Sequence, residues 1–181
     1  MKGIGPIAAL PLVALGALAL AARAIAAPSA PPEFTHRQAS DWINSEPLTL
    51  ASLKGKVVLL EFWAFECVNC LNSRAWVETI ASSKAGQGFV VIGVHTPELP
   101  AERNPNAVRH AVDRLGIHYP VMIDEDSSYW RALHNQYWPA FYLIGRDGRL
   151  YGPVLGEMHV GDARAGKMEQ IIDQLLAAPA T

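Results

Sequence analysis

The sequence predicts an α/β fold in which a mixed β-sheet is flanked by helices on both faces. Three observations lead there. Residues 56–63 (KVVLLEFW) and 88–95 (GFVVIGVH) are apolar, β-branched runs of the kind that form strands covered on both sides. Stretches with helical spacing follow each of them. Late in the chain, AFYLIG and RLYGPVL flank Arg146-Asp147-Gly148, and an Asp-Gly turn between apolar runs predicts a β-hairpin. Strands and helices in the order βαβαβαββα give a mixed sheet rather than two separate layers of one kind.

Each element has its own warrant. After the first strand, CVNCLNSRAWVETIASSKAG contains no proline and stops at Gly86, which predicts a helix from about Cys67 to Ser83. A proline-containing loop, TPELPAERNP, follows the second strand. It ends at Asn104, which predicts an N-cap, with Pro105 at the first helical position. Ala107, Val108, Ala111, Val112 and Leu115 then share one helical face. YPVMID (119–124) predicts a short third strand, and 127–135 a short helix. The last helix carries Met168, Ile171, Ile172, Leu175 and Leu176 on one side.

The chain is predicted to divide into a leader (1–27), a linker (28–40) and one domain (41–178). Gly3–Ala22 is uncharged and apolar, and Ala24-Ile25-Ala26 supplies a small-x-small cleavage site. The same stretch is long enough for a membrane anchor, although Pro6, Pro11 and Gly16 weaken it as a helix. Beside a buried cytosolic helix, a cleaved signal and a retained anchor both remain open. Either places the domain outside the cytoplasm, in the periplasm or an equivalent compartment, where disulfides persist. PSAPP (28–32) reads as a stiff linker. Half of the residues are hydrophobic, enough for a full core. The formal net charge of −2 argues against nucleic acid as a partner.

The chemistry concentrates in WAFECVNC (63–70), which holds the only two cysteines, Cys67 and Cys70. As a structural staple the pair closes a very short loop, worth roughly 2 kcal/mol against about 3 for a loop of fifteen. Zinc would need two more ligands, and none of the six histidines has finger-like spacing. Haem attachment would need a histidine where Leu71 stands. A redox pair fits better: a helix N-terminus favours an anion at Cys67, and one turn brings Cys70 within disulfide reach. No metal and no diffusible cofactor is expected. GDARAGKM (161–168) has the spacing of a phosphate loop but ends in Met168, and lacks the strand–loop–helix context. The run Asp124-Glu125-Asp126 reads as a solvated loop.

A strand ending Phe62-Trp63-Ala64, then C-x-x-C opening a helix, then a late P-A-x-Y-L-I hairpin resembles the thioredoxin fold. More narrowly, LTLASLKGKVVLLEFWAFECVNC (48–70) is similar to the exported TlpA/ResA-type thiol–disulfide oxidoreductases. VIGVHTPE, GIHYPVMID and QYWPAFYLIGRDG resemble the DipZ-like branch, whose active sites often read C-I-N-C. The resemblance runs from about Trp42 to Leu176.

That resemblance implies exchange of disulfides with protein substrates, electrons arriving from a membrane thiol-transfer protein. Pro139 takes the place of a cis proline that faces the cysteines and helps hold an extended substrate segment; a trans loop proline is the plain alternative. Trp63, Phe65 and Trp138 would supply the rest of an apolar rim. Glu61 stands where thioredoxins carry an acid beneath the cysteines, as a proton relay for Cys70, unless it simply reaches solvent at the strand end. Glu66 replaces the usual aromatic residue before the first cysteine. Its charge would oppose the Cys67 thiolate, or point to water with little effect. Asn69 replaces the common proline before the second cysteine and, like Glu66, would tune the redox poise. Arg74 is expected in solvent. The expected function is therefore an exported protein-disulfide oxidoreductase acting as a reductant. Two alternatives stand beside it: a peroxiredoxin-like peroxidase, which would want threonine where Ala64 stands, and a binding module with an inert disulfide.

Overall fold

The computed structural model of the chain describes residues 29–179. The elements are β1 (Trp42–Ile43), β2 (Val57–Trp63), α1 (Val68–Ser83), β3 (Phe89–His95), α2 (Pro105–Leu115), β4 (Val121–Ile123), α3 (Ser128–Ala132), β5 (Ala140–Ile144), β6 (Leu150–Leu155) and α4 (Ala163–Ala177). The six strands form one sheet in the order β1-β4-β3-β2-β5-β6. β2, β3 and β4 run parallel, whereas β5 and β1 each join antiparallel and β6 closes the hairpin with β5. This is the mixed sheet of a thioredoxin-like α/β fold, with helices on both faces.

Strand β2 lies at the centre, and all seven of its residues are buried. Its pleat sends alternate side chains to opposite faces. Val58, Leu60 and Phe62 pack with Phe34, Trp42, Met122, Tyr129 and Tyr142. Val57 and Leu59 pack instead with Trp76, Val77 and Ile80 of α1 and Met168 and Ile172 of α4. Trp63, on that second face, joins a third cluster with both cysteines and Val108, Ala111 and Val112 of α2. The end of β2 is thus where the apolar core meets the cysteines.

The helices begin and end as their sequences dictate. Asn104 caps α2, its side chain accepting the Asn106 amide at 3.0 Å, and Gly116 ends it in the left-handed conformation (φ 65°). Asp162 caps α4, so the phosphate-loop lookalike is the first turns of an ordinary helix.

Three expectations change. The predicted helix over 127–135 is a single short helix, Ser128–Ala132, because Ser127 and His134 both take positive φ. Residues 29–40, expected as a linker, pack on the domain: Ser29 bridges to Leu150, and Phe34 is buried between Trp42 and Tyr129. The acidic run is not a solvated loop throughout. Asp124 is fully buried and accepts bonds from Thr96 Oγ1 and the Tyr129 and Trp130 amides, which fixes the start of α3. The predicted leader (1–27) lies outside the described residues. No helix among the described residues is long and apolar enough to cross a membrane.

Candidate active site

Cys67 and Cys70 are joined by a disulfide, with Cα atoms 5.3 Å apart. Cys67 is the N-cap of α1, and its Sγ accepts the Cys70 amide at 3.3 Å. The first turn of α1 thus points its free amides at this sulfur, the position where a negative charge is best stabilised. Cys67 retains slightly more exposure (7%) than Cys70 (1%), which faces inward. The difference fits an outer attacking sulfur and an inner resolving one.

The surroundings are largely apolar. Phe65 stacks on the buried His95 ring (centroids 5.4 Å apart), and Trp63 meets that ring edge-on at 5.0 Å. The Trp138–Pro139 bond is cis, and Pro139 is buried. Trp138 stacks on Trp130 and donates its indole N–H to the Thr96 carbonyl at 3.0 Å. A shallow cleft beside the disulfide is lined by Glu66, Cys67, Val68, Asn69, Glu98, Leu99 and Trp138. Val68 and Leu99 are large apolar side chains left exposed there (66% and 48%).

Glu61 does not reach solvent: it is 1% exposed and accepts a hydrogen bond from the Tyr119 hydroxyl at 3.1 Å. Burial pushes its carboxyl up to about 7, against partial opposition from the Tyr119 bond and the Arg74 charge. Tyr119 is in turn held well above its ordinary value by burial and by Glu61. Gly93 makes room for this pair, since a Cβ there would lie 2.9 Å from Trp63 Nε1 and 3.2 Å from the Tyr119 ring. Arg74 is not in solvent as expected. Its guanidinium folds back onto Glu78 and the Leu115 carbonyl at the end of α2, near enough to act on Glu61.

Of the residues proposed from sequence, the structure brings Cys67, Asn69, Glu66 and Trp138 to one cleft, and packs Trp63 and Phe65 in the same apolar cluster as the cysteines; Glu61 lies buried against Tyr119. Glu66 is exposed, and what its side chain does for the thiol is not fixed by a contact. Two residues were missed. His95 is fully buried with neither ring nitrogen bonded, and burial pulls it down to about 4. Glu102, from the loop after β3, is fully buried and accepts the backbone N–H of Glu66. A polar residue at the end of an apolar strand could have flagged the histidine; the spacing of Leu99 and Glu102 around Pro100 could have flagged a capping acid.

Elsewhere, His36, Asp124 and Asp126 bring ligand-type atoms within 4.8 Å of one another. Asp124 already accepts three hydrogen bonds, and His36 Nδ1 lies 3.0 Å from Thr35 Oγ1. With Ser128 Oγ donating to Thr35 Oγ1 at 2.8 Å, those bonds account for the group as the clasp that holds the 34–36 segment to the start of α3.

A thioredoxin-like fold whose C-x-x-C pair caps its first long helix is the arrangement of the redoxins. The Redoxin family profile matches residues 28–172, and the chain belongs to that family. It is 39% identical over 138 residues to Protein DipZ of Mycobacterium tuberculosis, covering 75% of this chain but 19% of DipZ. It is 25% identical over 146 residues to the thiol-disulfide oxidoreductase YkuV of Bacillus subtilis, covering 81% of this chain and 93% of YkuV. The crystal structure of a thioredoxin-family thiol:disulfide interchange protein from Chlorobium tepidum superposes with a TM-score of 0.67 at 23% identity, covering 85% of this chain and all of that one.

Proposed function

We propose that this protein is an extracytoplasmic reductant of disulfides in other proteins. The chemistry runs through the two cysteines. The Cys67 thiolate attacks one sulfur of a client disulfide, and the client's other sulfur leaves as a thiolate. Cys70 then loses its proton to the Glu61 carboxylate and attacks Cys67 Sγ, releasing the client's second thiolate. The protein ends with the Cys67–Cys70 disulfide and the client with two thiols. A carboxyl group held near 7 can take a proton in one half of the cycle and return it in the other. Trp63, Phe65, Trp138 and Pro139 form the apolar ground against which an extended client segment lies.

The observation that carries the direction is the charge of the cleft. Its lining holds two carboxylates, Glu66 and Glu98, and no lysine, arginine or histidine. A strongly oxidising C-x-x-C protein is one whose reduced form, with its thiolate, is stabilised. Here the helix N-terminus favours the Cys67 anion while neighbouring carboxylates oppose it. Asn69 between the cysteines acts in the same tuning position. The disulfide is then comparatively hard to reduce, and the dithiol is the donor. Equilibration against glutathione and dithiothreitol measures this directly. A potential as high as about −120 mV, that of a dedicated disulfide donor, would refute the reductant reading. Insulin reduction with peroxide consumption followed alongside separates disulfide exchange from peroxidase activity and from an inert module.

The apolar stretch at 1–27 supports export, either cleaved or retained as a membrane anchor. A membrane thiol-transfer protein is the natural electron donor for a reductant in an oxidising compartment. Fusing residues 1–35 to a reporter active only outside the cytoplasm tests export; an inactive reporter refutes it. Fractionation then separates the cleaved from the anchored form.

A further inference from the structure

We infer that Glu102 is a positioning residue that sets the client cleft against the nucleophile, and so governs reactivity towards protein disulfides in particular. The inference rests on the disulfide-exchange reading above. Glu102 is fully buried, yet none of the cations among the described residues forms an ion pair with it. Its charge is met by backbone alone. Oε1 accepts the Glu66 amide at 2.8 Å, while Oε2 accepts the Glu98 amide at 2.8 Å and the Leu99 amide at 2.7 Å. Bonds this short from N–H to carboxylate are of the strong, charge-assisted kind.

The three donors belong to two different walls. Glu66 immediately precedes Cys67, and its amide hangs from the loop that leads from β2 into α1. Glu98 and Leu99 form the opposite wall of the same cleft. Local structure explains only half of this. Glu102 is the third residue of the short 3-10 turn Pro100–Arg103, and its bond to the Leu99 amide is the usual capping reach. A cap does not require a bond to an amide 36 residues away in sequence. That second reach is what fixes the distance between the sulfur and the exposed Leu99 side chain. The other ties between the two walls, the Thr96 amide on the Trp63 carbonyl and Phe65 stacked on His95, lie nearer the strand ends and do not reach Leu99.

The chemistry of the carboxylate makes the role separable from packing. Glutamine has nearly the same shape but one acceptor oxygen and an amide that only donates. Glu102→Gln can therefore serve one wall and must turn an N–H₂ towards the N–H of the other. Glu102→Asp keeps the charge but is a methylene too short to reach both walls at once.

The test compares two electron acceptors for each reduced, full-length protein: oxidised insulin, which must lie in the cleft, and dithionitrobenzoate, which needs only the sulfur. Glu102→Gln and Glu102→Asp should each reduce insulin at least tenfold more slowly, with the dithionitrobenzoate rate within threefold of wild type. Leu99→Ala, which leaves the carboxylate and its three bonds in place, should give the same selective loss. In wild type, the Glu66 amide should exchange slowly with deuterium although its side chain is exposed. Parallel loss of both rates, or no loss of either, overturns the inference. So does a fast-exchanging Glu66 amide, which also decides the matter should both Glu102 variants fail to fold. If wild-type protein reduces dithionitrobenzoate but not insulin, the protein-disulfide reading itself fails, and with it this one.

Discussion

Replacing Glu61 by glutamine should stabilise the oxidised protein at alkaline pH and leave it little changed in acid. The carboxyl is 1% exposed and its one hydrogen-bond partner is the Tyr119 hydroxyl, which can donate equally to the amide oxygen of a glutamine. In the unfolded chain the group titrates near its ordinary 4.5; burial raises it to about 7 in the fold. Below 4.5 both states hold the proton and the site costs nothing. Between 4.5 and about 7 the unfolded chain releases its proton while the folded one keeps it, so stability falls as pH rises. Above about 7 the loss is complete. That gap, at ~1.4 kcal/mol per pH unit, amounts to about 3 kcal/mol. Urea unfolding of wild type and Glu61→Gln at pH 4 and pH 8.5 isolates it, since all other titrating groups are common to both. The variant should gain about 3 kcal/mol relative to wild type between the two conditions. An equal difference at both pH values would mean that Glu61 ionises in the fold as readily as in water, and the proton-relay role would go with it.

His95 should behave in the opposite sense. Burial holds it near 4 against an ordinary 6.5, so folded stability is full above 6.5 and drains as pH falls towards 4. His95→Phe, which keeps a ring against Phe65 and Trp63, should remove most of a loss of about 3 kcal/mol, read as the difference in urea midpoints at pH 7 and pH 4. Gly93→Ala should cost about 1–3 kcal/mol, because the new Cβ meets Trp63 Nε1 at 2.9 Å in a packed wall; a thermal midpoint unchanged from wild type would contradict this. In the reduced protein, limiting iodoacetamide at neutral pH should label Cys67 before Cys70, read by peptide mass, and preferential labelling of Cys70 would reverse the assigned roles.

The fold was legible because its central strands are long, continuous apolar runs, and because Asn104, Pro105 and Asp147-Gly148 are local signals that act locally. What was not legible depended on distant contacts. β1 has two residues, too few for any periodicity, and exists because Trp42 and Ile43 pair with Met122 and Val121. Phe34 follows a proline-rich stretch that reads as a linker, and only its burial beside Trp42 and Tyr129 makes the segment part of the domain. Arg74 was misplaced because a long side chain on a helix surface gives no sign of the α2 carbonyl that receives it. The positions of the cysteines at the start of α1 and of Trp63 at the end of β2 were legible from motif order, since each lies at a strand or helix end that the sequence marks. Glu102 was not, because TPELPAERNP has the composition of a solvated loop and the partner that matters is the Glu66 amide.

The two buried acids, Glu61 and Glu102, show how the same side chain meets opposite environments. Glu61 faces one hydroxyl in a buried setting that cannot hold a full charge cheaply, so its proton affinity rises. Glu102 faces three N–H groups and no acceptor, a set that only the lone pairs of a carboxylate can fill. The first has a raised proton affinity and a single hydrogen bond; the second grips three amides. Exchanging their roles would therefore fail in both directions. A proton carrier bonded by three amides would lose affinity for the proton, and a staple bonded by one hydroxyl would leave the cleft walls unlinked. On the proposed mechanism, the two demands of disulfide exchange, moving a proton for Cys70 and holding a client beside Cys67, thus fall on two different carboxylates.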